Sequence, residues 1–304
     1  MNQLLFWILF NIFVLGMLAL DLGFLQRPGH TVKFREALTW SLIWIALAGA
    51  FAVLVYSRYG HATAVEFVTG YVIELSLSVD NLFIFLLIFR YFRVAPEHQH
   101  KVLFWGIVGA LVMRGIFIIV GIGLIQRFHW ITYIFGALLV YSGIKLFRQH
   151  GVGIEPGNNP VLRLFRRWVP MTEKYEGDRF VVRRPRPHAT PLLAVLILVE
   201  TTDVLFATDS IPAVLAITLK PFIVYTSNVF AVLGLRSMYF LLAVMMELFH
   251  YLHYGLAAIL IFVGAKMLVS NYYPIPTWIA LGVVGGVLLI SVLASLLHPK
   301  SHEH

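Results

Sequence analysis

The sequence is dominated by nine long runs of mostly apolar residues, separated by shorter polar segments. A helix needs roughly 20 residues to cross about 30 Å of hydrocarbon, and the runs have about that length. Charged residues make up 12% of the chain, against roughly 25% in soluble domains. We therefore expect an all-α polytopic membrane protein with about nine transmembrane helices. The expected spans are Asn2–Phe24, Glu36–Tyr56, Ala64–Phe89, Val102–Ile125, Ile131–Phe147, Pro191–Leu219, Phe222–Leu248, Tyr254–Val269 and Thr277–Leu297.

Lys and Arg are distributed unequally between the two sides of these spans. Sixteen of the 23 lie on one side, three lie on the other and four lie inside spans. Because cytoplasmic loops are enriched in Lys and Arg, we expect the N-terminus outside and the C-terminus in the cytoplasm. The net charge of +8 then reflects these loops, and no nucleic-acid partner is expected. The first run lacks a convincing cleavage site and is predicted to be a retained span.

One long hydrophilic segment, residues 148–190, divides the chain. The division predicts two N-terminal helices in residues 1–63, a three-helix unit in 64–147, a basic cytoplasmic loop in 148–190, a second three-helix unit in 191–270, and a last helix with a cytoplasmic tail in 271–304. Within the loop, Val161–Val169 alternates apolar and basic residues. It could lie on the anionic inner leaflet as an amphipathic helix, although a solvated loop is the preferred interpretation.

Two similar polar strings interrupt the third and sixth spans. Each contains two carboxylates six residues apart, and a small polar residue follows the second carboxylate. The strings are Glu74-Leu-Ser-Leu-Ser-Val-Asp80-Asn81 and Asp203-Val-Leu-Phe-Ala-Thr-Asp209-Ser210. This likeness indicates an internal repeat.

The spacing of basic residues supports the repeat. Arg114 and Lys145 in the first unit match Arg236 and Lys266 in the second, at separations of 31 and 30 residues. Each unit has three spans, so the two units enter the membrane from opposite sides, as inverted repeats of secondary transporters do. The two lysines fall near opposite faces, as inversion requires. Membrane enzymes can also contain repeats, so the pattern favours transport without excluding an enzyme.

Acidic residues outnumber arginines inside the spans. A charged group at the bilayer centre costs roughly 2.5–3.5 kcal/mol on insertion scales, and the lysines can extend toward the interfaces. One interpretation is that acids and arginines only lock the helices together. We favour a pathway for cations or protons, with Arg114 and Arg236 balancing charge. The acids assigned to a metal site are Glu74, Asp80, Glu200, Asp203 and Asp209.

A straight helix cannot bring both acids of one string to one ion. Glu74 and Asp80 point about 120° apart and are separated by about 9 Å along the axis. In the second string Pro212 lacks an N–H, so a helix break there would free main-chain oxygens beside Asp209. Neutral oxygens near the acids are expected from Asn81, Thr208 and Ser210.

The available ligands are almost all oxygen. Carboxylates and carbonyls suit Mn, Ca and Mg, whereas the chain has no cysteine, and no histidine lies well inside an expected span. No zinc-protease, serine-hydrolase or nucleotide-binding motif is present. We therefore expect a transporter driven by an ion gradient or the membrane potential, and not an enzyme.

Two longer strings carry a family resemblance. They are Tyr71-Val-Ile-Glu74-Leu-Ser-Leu-Ser-Val-Asp80-Asn81-Leu-Phe83 and Leu198-Val-Glu200-Thr-Thr-Asp203-Val-Leu-Phe-Ala-Thr-Asp209-Ser-Ile-Pro-Ala213. They resemble the two signature motifs of the TerC family of integral membrane proteins, and closely those of its Alx-type branch. The similarity extends to Thr226–Arg236 and Tyr254–Ala257.

The resemblance implies a nine-span bacterial inner-membrane protein from a family named for a link to tellurite resistance. It implies Mn(II) export in the Alx-type branch, dependent on the five membrane acids. The leading hypothesis is a Mn(II) exporter working by proton exchange, with Mn(II) as the transported ion and no permanently bound cofactor. The expected partners are divalent metal ions, membrane lipids and other membrane proteins. The alternative is an accessory protein that binds metal and partner proteins without transporting by itself.

Overall fold

The structure, a computed structural model, describes residues 3–25, 34–128, 130–148, 165, 167, 169–172, 174–183, 187–245, 251–270, 272–273 and 275–297. The helices of this part are α1 Gln3–Leu25, α2 Phe34–Tyr59, α3 His61–Tyr91, α4 Pro96–Arg127, α5 Ile131–Arg148, α6 Pro191–Leu215, α7 Pro221–Met245, α8 Leu252–Val269 and α9 Thr277–Leu297. Two short antiparallel strands, β1 Val181–Arg183 and β2 Pro187–Ala189, precede α6.

Each apolar run corresponds to one helix of the described part. By length and composition, six of these helices can cross a membrane, namely α2, α4, α5, α6, α7 and α9. Helices α1 and α8 carry the shorter apolar stretches Leu4–Leu20 and Tyr254–Val269. Apart from the small hairpin, the described part is therefore helical, and the protein is a multi-pass membrane protein.

Exposed aromatic residues mark one end of the helix bundle. Trp130 and Tyr133 lie where α4 passes into α5, and Tyr272, Tyr273 and Trp278 lie where α8 passes into α9. Trp and Tyr concentrate at membrane–water interfaces, where a ring can be apolar on one side and wet on the other. This clustering is typical of a membrane interface.

The helices of the two three-helix units pack against each other. Helix α3 packs against α7, α4 packs against α6, and α5 packs against α8. Helix α2 covers α3 and α7, while α9 lies on α8 and α3. Helices α3 and α6, which carry the polar strings, also pack against each other.

Helices α5 and α8 touch through their backbones. A Cβ atom on Gly264 would lie 2.7 Å from the main-chain oxygen of Gly136, and one on Gly143 would lie 2.8 Å from that of Ala257. A larger side chain would push the two helices apart. Small residues are common where membrane helices approach this closely.

The end of the basic loop is folded against α3 and α4. The Tyr175 hydroxyl donates to the carbonyl oxygen of Phe92 at 2.7 Å, and the Lys101 ammonium donates to the carbonyl oxygen of Asp178 at 2.6 Å. A hydrogen bond from Lys101, and its charge, lower the pKa of the Asp178 carboxyl. The solvated-loop interpretation of Val161–Val169 stays a prediction, because that segment lies largely outside the described residues.

Candidate functional site

A buried ion pair joins the two strings. The Arg114 guanidinium donates from Nη2 to Oδ1 of Asp203 at 3.0 Å and from Nε to Oδ2 at 3.2 Å. Its Nη1 contacts Oε1 of Glu74. The Arg114 and Glu74 side chains are 1% and 0% exposed. One guanidinium therefore compensates two carboxylates, and the three formal charges sum to −1.

Asn228 on α7 completes this cluster. Its Nδ2 donates to Oε2 of Glu74 at 2.9 Å, and its Oδ1 accepts from Nη1 of Arg114 at 3.3 Å. The hydroxyl of Ser78, one turn after Glu74, donates to Oε1 of Glu74 at 3.3 Å. Helices α3, α4, α6 and α7 each contribute one of the four principal residues. We call Glu74, Arg114, Asp203 and Asn228 the central cluster.

Glu200 does not join the central cluster. It precedes Asp203 by three residues, so its side chain points about 60° away around α6. Its carboxyl lies against α4, where a Cβ atom on Gly109 would overlap it. It lines an open, apolar groove of about 610 Å³ together with Trp105 and Leu196.

Asp209 is directed toward α5 instead. It follows Asp203 by six residues, which turns it about 120° around α6. Its Oδ1 accepts a hydrogen bond from the Ser142 hydroxyl at 2.8 Å. The hydroxyl of Thr208 is exposed and donates to its own helix at Leu205, as hydroxyls in membrane helices often do.

The predicted break near Asp209 is absent. Helix α6 continues through Pro212 to Leu215, and Pro212 accepts a hydrogen bond from the N–H of Ala216 at 2.9 Å. A proline so near the helix end interrupts one bond without unwinding the turn before it. Main-chain ligands beside Asp209 are therefore not created by a discontinuity.

The structure thus divides the predicted acids instead of gathering them. Glu74 and Asp203 converge, whereas Glu200 and Asp209 point to other helices. Among the described residues, no group of three or more His, Asp or Glu side chains is placed to hold a metal. The side chain of Asp80 lies outside what the structure describes. Metal binding by the five acids stays a prediction.

Asn81 and Ser210 lie on the helix faces of the paired acids. Asn81 follows Glu74 by seven residues and Ser210 follows Asp203 by seven, which returns each to nearly the same face. Both are buried, and Nδ2 of Asn81 and Oγ of Ser210 have no hydrogen-bond partner within the described chain. Polar groups without partners are rare in protein interiors and call for an explanation.

Arg236 of α7 is buried and contacts a histidine of α4. Its Nη2 lies 3.3 Å from Nδ1 of His100. Arg236 and Asp203 both line a small internal cavity of about 10 Å³, enough for roughly one water molecule.

His100 corrects a predicted boundary. Helix α4 begins at Pro96 and not at Val102, so His100 lies inside the helix and is buried. Pro96 followed by Glu97 is a helix-start signal that would have placed this boundary earlier. His100 is the fifth residue of α4, so the prediction that no histidine lies well inside a span is not contradicted by it.

The two matched lysines have different environments. Lys145 is exposed at the end of α5. Lys266 is buried, and its ammonium donates to the carbonyl oxygen of Ala216 at the end of α6, at 3.2 Å. The Lys266 ammonium thus reaches the C-terminal end of α6, whose carbonyls attract a cation locally. Its extension toward a membrane interface stays a prediction.

A further acid inside a predicted span was missed. Glu66 of α3 accepts hydrogen bonds from the Thr218 hydroxyl at 2.9 Å and from the Lys220 ammonium at 3.2 Å. Lys220 also donates to the Thr63 hydroxyl at 2.8 Å. These contacts tie the first turns of α3 to the connection between α6 and α7. Its position inside the run Ala64–Phe89 was the available signal.

Comparison with known proteins places this architecture in a family. The model of the integral membrane protein TerC family matches residues 59–303. The uncharacterized membrane protein STKORF319 of Myxococcus xanthus is 49% identical, over 97% of this chain and 92% of that protein. The putative membrane-bound redox modulator Alx of Escherichia coli (strain K12) is 46% identical, over 95% and 93%. An uncharacterized membrane protein of Rickettsia bellii is 38% identical, over 96% and 97%. No solved structure matches the chain. The family model covers most of the chain, and these relatives extend the similarity to nearly all of it, so the chain belongs to the TerC family of integral membrane proteins.

Proposed function

We propose that this protein is a secondary transporter that exports Mn(II) from the cytoplasm in exchange for protons. The observation that carries the proposal is the central cluster, in which two buried carboxylates from α3 and α6 share one guanidinium. A dication between Glu74 and Asp203 would be neutralised by both carboxylates, whereas Arg114 compensates only one. With Arg114 as its cation, the central cluster therefore has a net negative charge, which would attract a further cation.

We further propose nine transmembrane spans, with the N-terminus outside and the C-terminus in the cytoplasm of a bacterial inner membrane. The relatives are bacterial proteins, which supports a bacterial membrane. The unequal distribution of Lys and Arg between the two sides of the spans supports the orientation. Lipids and divalent ions are the expected partners. This topology makes the two three-helix units enter the membrane from opposite sides.

Helix pairing supports an inverted repeat. Suppose that α3, α4 and α5 correspond to α6, α7 and α8. The repeat then relates the contact between α3 and α7 to the contact between α6 and α4, and both contacts occur. The same relation converts the contact between Gly136 and Gly264 into a contact between Ala257 and Gly143, which also occurs. Such a pseudo-two-fold relation is common in alternating-access transporters.

The polar faces of α3 and α6 suggest the route of the ion. From the central cluster, Asn81 lies two turns further along α3 and Ser210 lies two turns further along α6. Because the two helices would run in opposite directions, these buried polar groups extend the site toward opposite membrane faces. Arg114 would leave the carboxylates when the ion enters, and a proton could neutralise the remaining charge on the return.

The oxygen-rich site favours a hard dication. Carboxylate and amide oxygens suit Mn, Ca and Mg better than copper or zinc. The relative in E. coli is named a redox modulator, but this chain contains no cysteine, so its own side chains offer no thiol–disulfide chemistry. Ion transport therefore accounts for the buried acids more directly than redox chemistry does.

Sealed liposomes containing the purified protein test the proposal. With an imposed pH gradient, we expect Mn(II) flux from the wild-type protein and its loss in Asp203→Asn. Asp178→Asn, in the turn before β1 and away from the cluster, is the matched control and should transport normally. Absence of wild-type flux under every pH gradient would reject autonomous transport. It would favour the accessory role, in which the protein supplies metal to exported proteins or serves a tellurite-resistance complex.

A further inference from the structure

The guanidinium of Arg114 is surrounded by side-chain oxygens from three other helices. Glu74 and Asp203 contribute carboxylate oxygens, and Asn228 contributes its amide oxygen. All three side chains are almost completely buried. The positively charged guanidinium of Arg114 therefore lies among oxygen atoms of the kind that a hard metal cation prefers as ligands.

The hydrogen bonds define which way the Asn228 amide faces. An ionised carboxylate only accepts hydrogen bonds, so the amide nitrogen must face Glu74, which it does at 2.9 Å. The amide oxygen then faces Arg114, which can only donate. The reverse orientation would place two acceptors together at Glu74 and two donors together at Arg114. The carbonyl oxygen of Asn228 is thus directed at the position of the cation.

Neighbouring polar residues on α7 do not offer the same oxygen. The hydroxyl of Thr226 donates to the carbonyl oxygen of Phe222 at 2.7 Å, and that of Ser227 donates to the carbonyl oxygen of Val224 at 3.1 Å. Both hydroxyls bond to their own helix. Among these three consecutive polar residues, Asn228 is the one whose described hydrogen bonds cross to other helices.

We propose that Asn228 is a ligand of the transported dication and supplies a neutral oxygen beside the two carboxylates once Arg114 has moved away. This inference rests on the proposed function and adds a residue that the acidic motifs do not contain. Two carboxylates and one amide oxygen balance a divalent charge without excess, and water could complete the coordination. The amide–Glu74 hydrogen bond keeps the ligand in position in the empty state.

Three substitutions test the ligand role. Asn228→Leu keeps the approximate size but removes the oxygen, so Mn(II) should bind at least about tenfold more weakly. Asn228→Asp restores an oxygen with an added charge, so Mn(II) affinity should equal or exceed that of the wild type. Asn228→His replaces oxygen with an imidazole nitrogen and should shift the preference from Mn(II) toward Zn(II) by about tenfold or more.

The measurement is direct metal binding to the purified full-length protein in detergent. Electron paramagnetic resonance reports free Mn(II), and Zn(II) competition gives the preference. Ser227→Ala is the matched control, because it removes a buried hydroxyl that serves only its own helix among the described contacts, and it should bind as the wild type does. Size-exclusion profiles establish that each variant is folded.

The outcomes separate this inference from the proposed function. If the wild type binds and transports Mn(II) but Asn228→Leu binds it equally well, Asn228 is not a ligand and the proposed function stands. If Asn228→Asp does not retain affinity and Asn228→His keeps the wild-type preference, the role is structural and the inference fails. If the wild type neither binds nor transports Mn(II), the proposed function itself fails.

Discussion

Replacing Arg114 with methionine should destabilise the protein strongly. The change removes the guanidinium but keeps an unbranched side chain, and it leaves Glu74 and Asp203 buried without their cation. Breaking a buried ion pair by removing one partner typically costs about 3–5 kcal/mol. At about 1.4 kcal/mol for each tenfold change, this lowers the folded-to-unfolded ratio by roughly two to four orders of magnitude.

Neutralising the acids should reverse most of that loss. In the Arg114→Met background, Glu74→Gln and Asp203→Asn together remove the uncompensated charge while keeping polar groups for Asn228. We expect recovery of at least about 2 kcal/mol, because uncharged replacements of buried ion pairs are often tolerated. The three substitutions should therefore be strongly non-additive.

The assay is equilibrium unfolding by SDS titration in mixed micelles, followed by tryptophan fluorescence. Arg127→Met, at the exposed end of the same helix, is the control and should change the free energy of unfolding by no more than about 0.5 kcal/mol. A loss below about 1 kcal/mol for Arg114→Met, or a triple variant no more stable than the single one, would refute the reasoning.

Three further predictions follow from individual contacts. Gly264→Val, which places a Cβ atom 2.7 Å from the oxygen of Gly136, should cost about 1–3 kcal/mol in the unfolding assay, whereas Gly123→Ala, which meets no atom within 4 Å, should not destabilise. The motif predicts that Asp209 belongs to the ion path, although its side chain lies apart from the central cluster. Asp209→Asn retains an oxygen acceptor for the Ser142 hydroxyl, so membrane abundance should be unchanged while manganese tolerance of cells is lost; full tolerance would remove Asp209 from the ion path. Because the pKa of Asp178 is lowered below its ordinary 3.8, its contribution to hairpin docking is present above that value and is lost as pH falls through the lowered pKa. Hydrogen exchange of the hairpin should therefore not change with Asp178 ionisation between about pH 5 and about pH 8, and a protection change in that interval that Asp178→Asn abolishes would contradict this.

Much of the helical framework is predictable from the sequence because the requirement is local. A segment in hydrocarbon must satisfy its own backbone hydrogen bonds and present apolar side chains over about 20 residues. Each of the nine apolar runs accordingly corresponds to a described helix. Boundaries were less well determined, as at Pro96, where polar residues extend α4 beyond its apolar portion.

The cross-helix contacts of the site were not predictable in the same way. Sequence spacing identified Glu74, Asp203 and Arg114, but it assigned equal roles to acids that the packing separates. Asn228 lies eight residues before Arg236, and the equivalent position before Arg114 is Gly106, so the repeat carried no signal for it.

The sequence by itself determined which segments become helices and which of them carry charges. Only the tertiary structure decided that Arg114 joins Glu74 to Asp203, that Asp209 turns to α5, and that Lys266 reaches the end of α6. Helix formation depends on neighbours along the chain, whereas a side chain's partners depend on how each helix is rotated and packed against others far away in sequence.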